Sequence, residues 1–358
     1  MPVNAMLKNM KLEIPIIQAP MAGGITTSNL VAAVSNNGAL GMIAAGYMSP
    51  IQLREQIREV KLLTTNNFGV NLFVPNEFHL SNTEMELANQ LLLPYRDALH
   101  IHNENMSLPN VDDAFQTFKE QIQVLIEEKV PICSFTFGVP TLDMIQQLKQ
   151  QGIILIGTAT TVAEAIAIED LAMDAVVVQG SEAGGHRGNF LGNHEESLIG
   201  LMSLIPQVAN NVTIPVIAAG GIMDGRGLMA ALCLGASAVQ MGTAFLTCEE
   251  SGAHSLHKKS IMESKGNDTV LTKAFSGKWA RGITNKFIEE MKQHEESFPN
   301  FPVQNTLTQS IRKAASEQNN KDFMSLWSGQ STTLAKRETV QSLIKRVMDE
   351  ARNINIRV

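Results

Sequence analysis

The chain has 358 residues, 44% of them hydrophobic and 18% charged, with a formal net charge of −7. That apolar content excludes a mostly disordered chain and permits a large core. With 28 Lys+Arg against 35 Asp+Glu there is no basic excess to neutralise nucleic-acid phosphates.

From the N-terminus, MPVNAMLKNMKLEIP carries no long apolar region ahead of a small-residue cleavage site, so no secretory signal is expected. Cys133, Cys233 and Cys248 imply no disulfide framework, which favours a cytoplasmic setting. Ile14 to Leu53 and Gly227 to Cys248 lack charge. Pro15, Pro20, Gly23, Gly24, Asn36, Asn37 and Gly38 break the first stretch, and Gly235, Ser237, Gln240 and Gly242 break the second. They read as buried strands and helices, not as membrane spans.

Eight β-rich runs follow in order: Ile14–Gln18, Leu40–Ala44, Phe68–Phe73, Ile132–Phe137, Ile153–Gly157, Ala175–Gln179, Pro215–Ala219 and Ala238–Gly242. Helical signals lie between most of them. Ser49-Pro50-Ile51-Gln52 is a capping box with proline at the first helical position, and Thr161-Val162-Ala163-Glu164 is a second box. Val111, Ala114, Phe115, Phe118, Ile122, Leu125 and Ile126 share one helical face. Strands alternating with helices predict a parallel sheet, and eight units predict a closed TIM (β/α)8 barrel, with an open doubly wound sheet as the alternative. Residues 76–110, polar and holding Pro94 and Pro109, interrupt the third unit as an inserted segment. Residues 1–248 are therefore assigned to the barrel. Residues 249–358 form a helical C-terminal elaboration, whose stripe Val340, Leu343, Ile344, Val347, Met348 and Ala351 needs a surface to pack on.

In such barrels the chemistry sits on the loops after the strands. Gly220-Gly221 follows the seventh run and Gly242-Thr243 ends the eighth. Both are places where backbone N–H groups can hold a phosphate. After the sixth run, Gly184-Gly185-His186-Arg187-Gly188 presents a histidine that could exchange a proton with a bound ligand. Arg187 could pair with a carboxylate, a phosphate or Glu182. His100-Ile101-His102 and the set Cys248, His254 and His257 lack a recognised zinc spacing, so no metal is expected. Cys233, in an apolar run, reads as buried filler. Neither G-x-G-x-x-G after the first strand nor G-x-S-x-G occurs, which argues against a dinucleotide fingerprint and an α/β hydrolase.

Residues 177–188, Val-Val-Gln-Gly-Ser-Glu-Ala-Gly-Gly-His-Arg-Gly, with Pro215 to Ile222 and Gln240-Met241-Gly242-Thr243, resemble nitronate monooxygenases. The likeness extends to Ala19-Pro20-Met21, Phe68 to Leu72, Phe135 to Gly138 and Leu326 to Gln330, nearly the whole chain. It implies an FMN-dependent oxidoreductase that converts alkyl nitronates, such as propionate 3-nitronate, with O2 to carbonyl compounds and nitrite. It implies that Gly221 and Gln240, Met241, Gly242 and Thr243 hold the FMN phosphate. Asn71, Gln179 and Gly184 would contact the flavin or its ribityl chain, and Met21 would line the ring. His186 would face the reacting side, either stabilising nitro oxygens or deprotonating a neutral nitroalkane. A cation would suit an anionic substrate, with Arg187, Lys278 and Arg281 as candidates. Flavin-dependent enoyl-acyl-carrier-protein reductases share the Ala-Gly-Gly-His element, so that activity is an alternative, and a non-catalytic flavin- or phosphate-binding barrel is a second. Arg187 and the tail at Leu326 to Gln330 tilt the reading toward the monooxygenase.

Overall fold

The computed structural model describes residues 8, 10–101 and 107–354. Eight strands run parallel in one sheet: β1 (Ile16–Gln18), β2 (Gly41–Ala44), β3 (Phe68–Phe73), β4 (Ile132–Thr136), β5 (Ile154–Ala159), β6 (Ala175–Gln179), β8 (Val216–Ala219) and β9 (Ala238–Met241). Their order is β1-β9-β8-β6-β5-β4-β3-β2. The two ends meet, because Gln18 donates its N–H to Leu40 O at 2.9 Å and Leu40 donates to Ile16 O at 3.0 Å. The sheet is therefore a closed barrel, and the open alternative is excluded. Side chains alternate across the wall, as a barrel requires. Ile17, Val177 and Ile217 point into the interior cluster, which Met10 and Leu12 join. Ile16, Val176, Val178 and Val216 pack outward against the helices.

The helices start where capping chemistry predicts. Helix Pro50–Leu63 has the full box, with Gln52 N donating to Ser49 Oγ and Ser49 N to Gln52 Oε1. At Thr161 only half of the second box forms. Glu164 N donates to Thr161 Oγ1 at 3.2 Å, but the Glu164 carboxylate turns elsewhere. It is fully buried and accepts from Thr160 N and Oγ1 and from Phe190 N and Leu191 N. Its task is to tether the loop after β6.

The segment 76–110 is more regular than its sequence suggested. It holds helix Asn82–Ala98, with Pro94 inside the helix. Ala88, Leu92 and Tyr95 sink into a second apolar cluster with Phe275, Phe287 and Phe323. The region after Glu249 is mainly helical, and it also carries a hairpin that periodicity did not reveal: β10 (Thr269–Thr272) and β11 (Ala280–Ile283). β11 pairs antiparallel with a two-residue strand, β7 (Gly185–His186), placing Ala280 opposite His186. A cap built on the second cluster thus grips the histidine loop. The last helix, Val340–Arg352, leaves the cap and lies on the barrel between helices Gly225–Cys233 and Ser28–Asn36. Val340, Leu343, Ile344, Val347 and Ala351 are buried there, and Met348 packs at the edge. Cys233 is exposed at the end of its helix, which corrects its reading as filler.

Candidate active site

Between the C-terminal rim of the barrel and the cap lies a cavity of about 570 Å³. Met21, Asn71, Gln179, Gly184, His186, Gly221, Gln240, Gly242 and Thr243 all line it. Met241 does not: its side chain is buried in the barrel's outer core, and its carbonyl accepts from Ala19 N.

The first rim loop is fixed by a polar side chain at the end of an apolar strand. Gln18, fully buried, donates to Thr26 Oγ1 at 3.3 Å and to Ala19 O, and it accepts from Met42 N. Met21 N in turn donates to Thr26 Oγ1 at 3.0 Å. Asn71 donates to Ser134 Oγ at 2.9 Å and Thr136 Oγ1 at 3.0 Å, leaving its Oδ1 without a protein partner among the described residues. The Gln240 carboxamide likewise has none. Gln179 differs. Its amide donates to His186 O at 3.0 Å and accepts from Gly188 N at 2.8 Å. It acts chiefly to shape the histidine loop.

At the other side of the rim, the main-chain N–H groups of Gly221, Ile222, Gly242 and Thr243 have no acceptor among the described residues. Gly221 sits at φ +66°, where a Cβ would press on Glu182 Cβ at 3.2 Å and Ser331 Oγ at 3.3 Å. Gly184 lies against the main chain of Ser328 and Gly329, where a Cβ would come within 2.5 Å. Gly329 N donates to Thr243 Oγ1 at 3.0 Å. Unpaired N–H groups in a side-chain-free cradle suit a phosphate, and the unpartnered Asn71 Oδ1 and Gln240 carboxamide suit a polar chain and ring beside it.

His186 stands over this space inside a ring of aromatics, with Phe137, Phe301 and Trp327 at centroid distances of 5.8, 5.9 and 5.5 Å. Its Nε2 lies 2.8 Å from Ser276 Oγ, which donates to Lys278 O at 3.0 Å. A carbonyl only accepts, so the Ser276 hydroxyl proton is committed to it. In that arrangement Nε2 carries the histidine proton and Nδ1 is unprotonated; Nδ1 has no protein partner among the described residues. Burial, with help from the charges of Lys278 and Arg312, pulls the His186 pKa down to about 3. The imidazole is neutral in ordinary buffers.

The three candidate cations do not line the cavity. Arg187 is fully buried and donates to the carbonyls of Gly180, Gln179 and Ser197. Arg281 donates to Ser181 O. Lys278 lies over the Phe137 ring and donates to Asn189 O. Ser276, Arg312 and Tyr47, which sequence reasoning missed, are among the polar groups that meet His186 or the cavity from outside the rim motifs. Nothing in the local sequence marks Ser276 and Arg312, because the cap brings them in from far along the chain, whereas Tyr47 lies on the rim just after β2. His102 lies outside the described residues. His257 donates through Nε2 to Trp327 O at 2.9 Å, and no cluster of three metal-ligating side chains occurs among the described residues.

Comparison with known proteins fits this geometry. A family model described as nitronate monooxygenase matches residues 4–350. The probable nitronate monooxygenase of Staphylococcus haemolyticus (strain JCSC1435) is 51% identical over 353 residues, covering 98% of each chain. That of Staphylococcus aureus (strain MSSA476) is 50% identical over 352 residues, again with 98% of each covered. Among solved structures, nitroalkane oxidase from Streptomyces ansochromogenes superposes with a TM-score of 0.89 at 36% identity, covering 97% of this chain and 98% of that one. FabK from Thermotoga maritima gives 0.76 at 31% identity, covering 98% and 96%.

Proposed function

The chain belongs to the nitronate monooxygenase family, and from that premise we propose that it binds FMN at the barrel rim and oxidises alkyl nitronates with O2 to carbonyl compounds and nitrite. In overall balance, two nitronates and one O2 give two carbonyl products and two nitrites, each C=N bond being replaced by C=O. The unpaired N–H groups of Gly221, Ile222, Gly242 and Thr243 would take the phosphate. Asn71, Gln240 and Met21 would meet the chain and ring, with Gly184 allowing close approach. FMN supplies an electron acceptor when bound.

The protein's own part is to place the substrate carbon under His186, to exclude water with Phe137, Phe301 and Trp327, and to handle a proton. The observation that carries this reading is the unpartnered Nδ1 of a buried, neutral His186 facing a cavity that also holds the phosphate cradle. Of the two roles expected for His186, proton acceptance is the one that goes with the proton on Nε2, since Nδ1 then has a lone pair and no hydrogen to offer nitro oxygens. A neutral nitroalkane entering this site would lose its α-proton to Nδ1. The nitronate so formed offsets the cost that burial imposes on the imidazolium.

The test is His186→Asn. The variant should retain flavin, while turnover of neutral nitroalkanes falls by ~10²-fold or more. Unchanged turnover removes His186 from the chemistry. Anaerobic mixing with NADPH separates the enoyl reductase reading: rapid flavin bleaching by NADPH, with no turnover of nitronates, would favour it. A flavin-loaded protein inert to both substrates would favour the non-catalytic one.

A further inference from the structure

The cap delivers two cationic groups to the cavity that the chemistry above leaves unused, Arg312 and Lys313. Arg312, on helix Gln309–Glu317, lines the cavity. Its Nε donates to Thr308 Oγ1 at 3.3 Å, and one terminal nitrogen, Nη2, donates to Asn305 O at 2.7 Å and Oδ1 at 2.9 Å. These acceptors are all neutral. The other terminal nitrogen, Nη1, has no acceptor, and no carboxylate pairs with the guanidinium among the described residues. A guanidinium drawn out of solvent without a counter-charge is costly, and an anionic ligand relieves that cost. His186 lines the same cavity, so the two groups address one space. Tyr47, just after β2, lines the cavity close enough to interact with Arg312.

The other cations compete poorly. Lys313 also lines the cavity, but its side chain is 76% exposed and stands 4.0 Å from Glu317. Arg187, Arg281 and Lys278 are tied to carbonyls away from the cavity. Asn305 and Thr308 hold Nε and Nη2 on neutral acceptors, which fixes the guanidinium without neutralising it.

We propose that Arg312 is a specificity-determining residue that receives, through Nη1, a carboxylate carried by the nitronate whose reacting carbon lies at His186. The inference rests on the nitronate reading. It predicts a preference for nitronates with a second negative charge over the same skeleton without one.

Two substrates test it: propionate 3-nitronate, and propyl 1-nitronate, in which a methyl group replaces the carboxylate. In Arg312→Gln, kcat/KM for the first should fall about 10- to 100-fold, mainly through KM. The second should change less than about 3-fold. Arg312→Lys, which keeps the charge but loses the fork, should recover part of the loss. Equal losses on both substrates, or none on either, overturn the proposal. Calorimetric titration of the flavin-loaded protein with succinate, an unreactive dianion of similar shape, reads the same contact without turnover. Binding that weakens at least 10-fold in Arg312→Gln supports the anchor even where neither nitronate reacts, an outcome that would sink only the nitronate reading. Binding unchanged by the substitution counts against the anchor alone.

Discussion

At His186 the imidazole meets Ser276, which is 1% exposed and bridges Nε2 to Lys278 O. Removing that hydroxyl leaves Nε2–H without an acceptor and frees the ring to change tautomer. Ser276→Ala should therefore lower turnover of neutral nitroalkanes by about 10- to 100-fold with little change in KM, and Ser276→Thr should restore most of it. Equal loss in both variants would mean that Ser276 only supports the fold. The pH dependence has a definite sign. His186 is held at about 3 in the native protein, against about 6.5 when unfolded. Between those values the unfolded chain takes up a proton that the native state refuses, so stability falls as pH drops from about 6.5 toward 3. His257 and His194, both pulled to about 4 by burial, act in the same direction. A melting series from pH 7 to 4.5 should show Tm falling, and less steeply in His186→Asn. The rim residues were legible in the sequence because each motif sits directly after its strand. Ser276 and Arg312 were not, since each reaches the site through a fold contact: Ser276 meets His186 90 residues away.

Among the elements, helix Val340–Arg352 shows how far a sequence stripe can be read. The amphipathic face was plain, but its docking surface was not. That surface is made by helices early and late in the barrel, and the whole cap intervenes between the eighth strand and this helix. The contact is close at Gly225, where a Cβ would stand 2.4 Å from Ala351 N and 2.6 Å from Glu350 Cβ. Gly225 N also donates to Glu350 Oε2 at 2.9 Å. Gly225→Ala should push the helix off its seat and destabilise the protein by about 1–3 kcal/mol, measured by denaturant unfolding. A neutral result would show that the helix can slide without cost. The hairpin β10–β11 escaped prediction for a related reason. Its strands have four residues each, and β11, Ala-Arg-Gly-Ile, shows no alternation. It is a strand because it pairs with the histidine loop, a contact that no local pattern encodes. Likewise, Pro94 and the polarity of 76–110 hid a helix that exists because Leu92 and Tyr95 fill the cap's core.

Taken as one molecule, the barrel and cap meet across the same cavity that the proposed cofactor would fill. The cap contributes Ser328 and Gly329 against Gly184, and Gly329 N to Thr243 Oγ1, so the phosphate cradle is itself a seam between the two. A ligand bound at that seam stabilises the closed arrangement in proportion to its affinity and concentration. At 100 times Kd the gain is ~2.7 kcal/mol. For a chain of this size that shifts Tm by about 3–4 °C. The cradle's N–H groups would act on the phosphate alone, so the effect should discriminate between flavins that share a ring. Protein stripped of flavin should melt lower, and FMN should restore the lost degrees. Riboflavin at the same concentration, which has the ring and ribityl chain but no phosphate, should restore little of it. Equal rescue by riboflavin would place the affinity in the ring pocket around Met21 and Asn71 and leave the glycine cradle as packing between rim and cap. Rescue confined to FMN, and diminished in Gly221→Ala, would tie the seam to the phosphate.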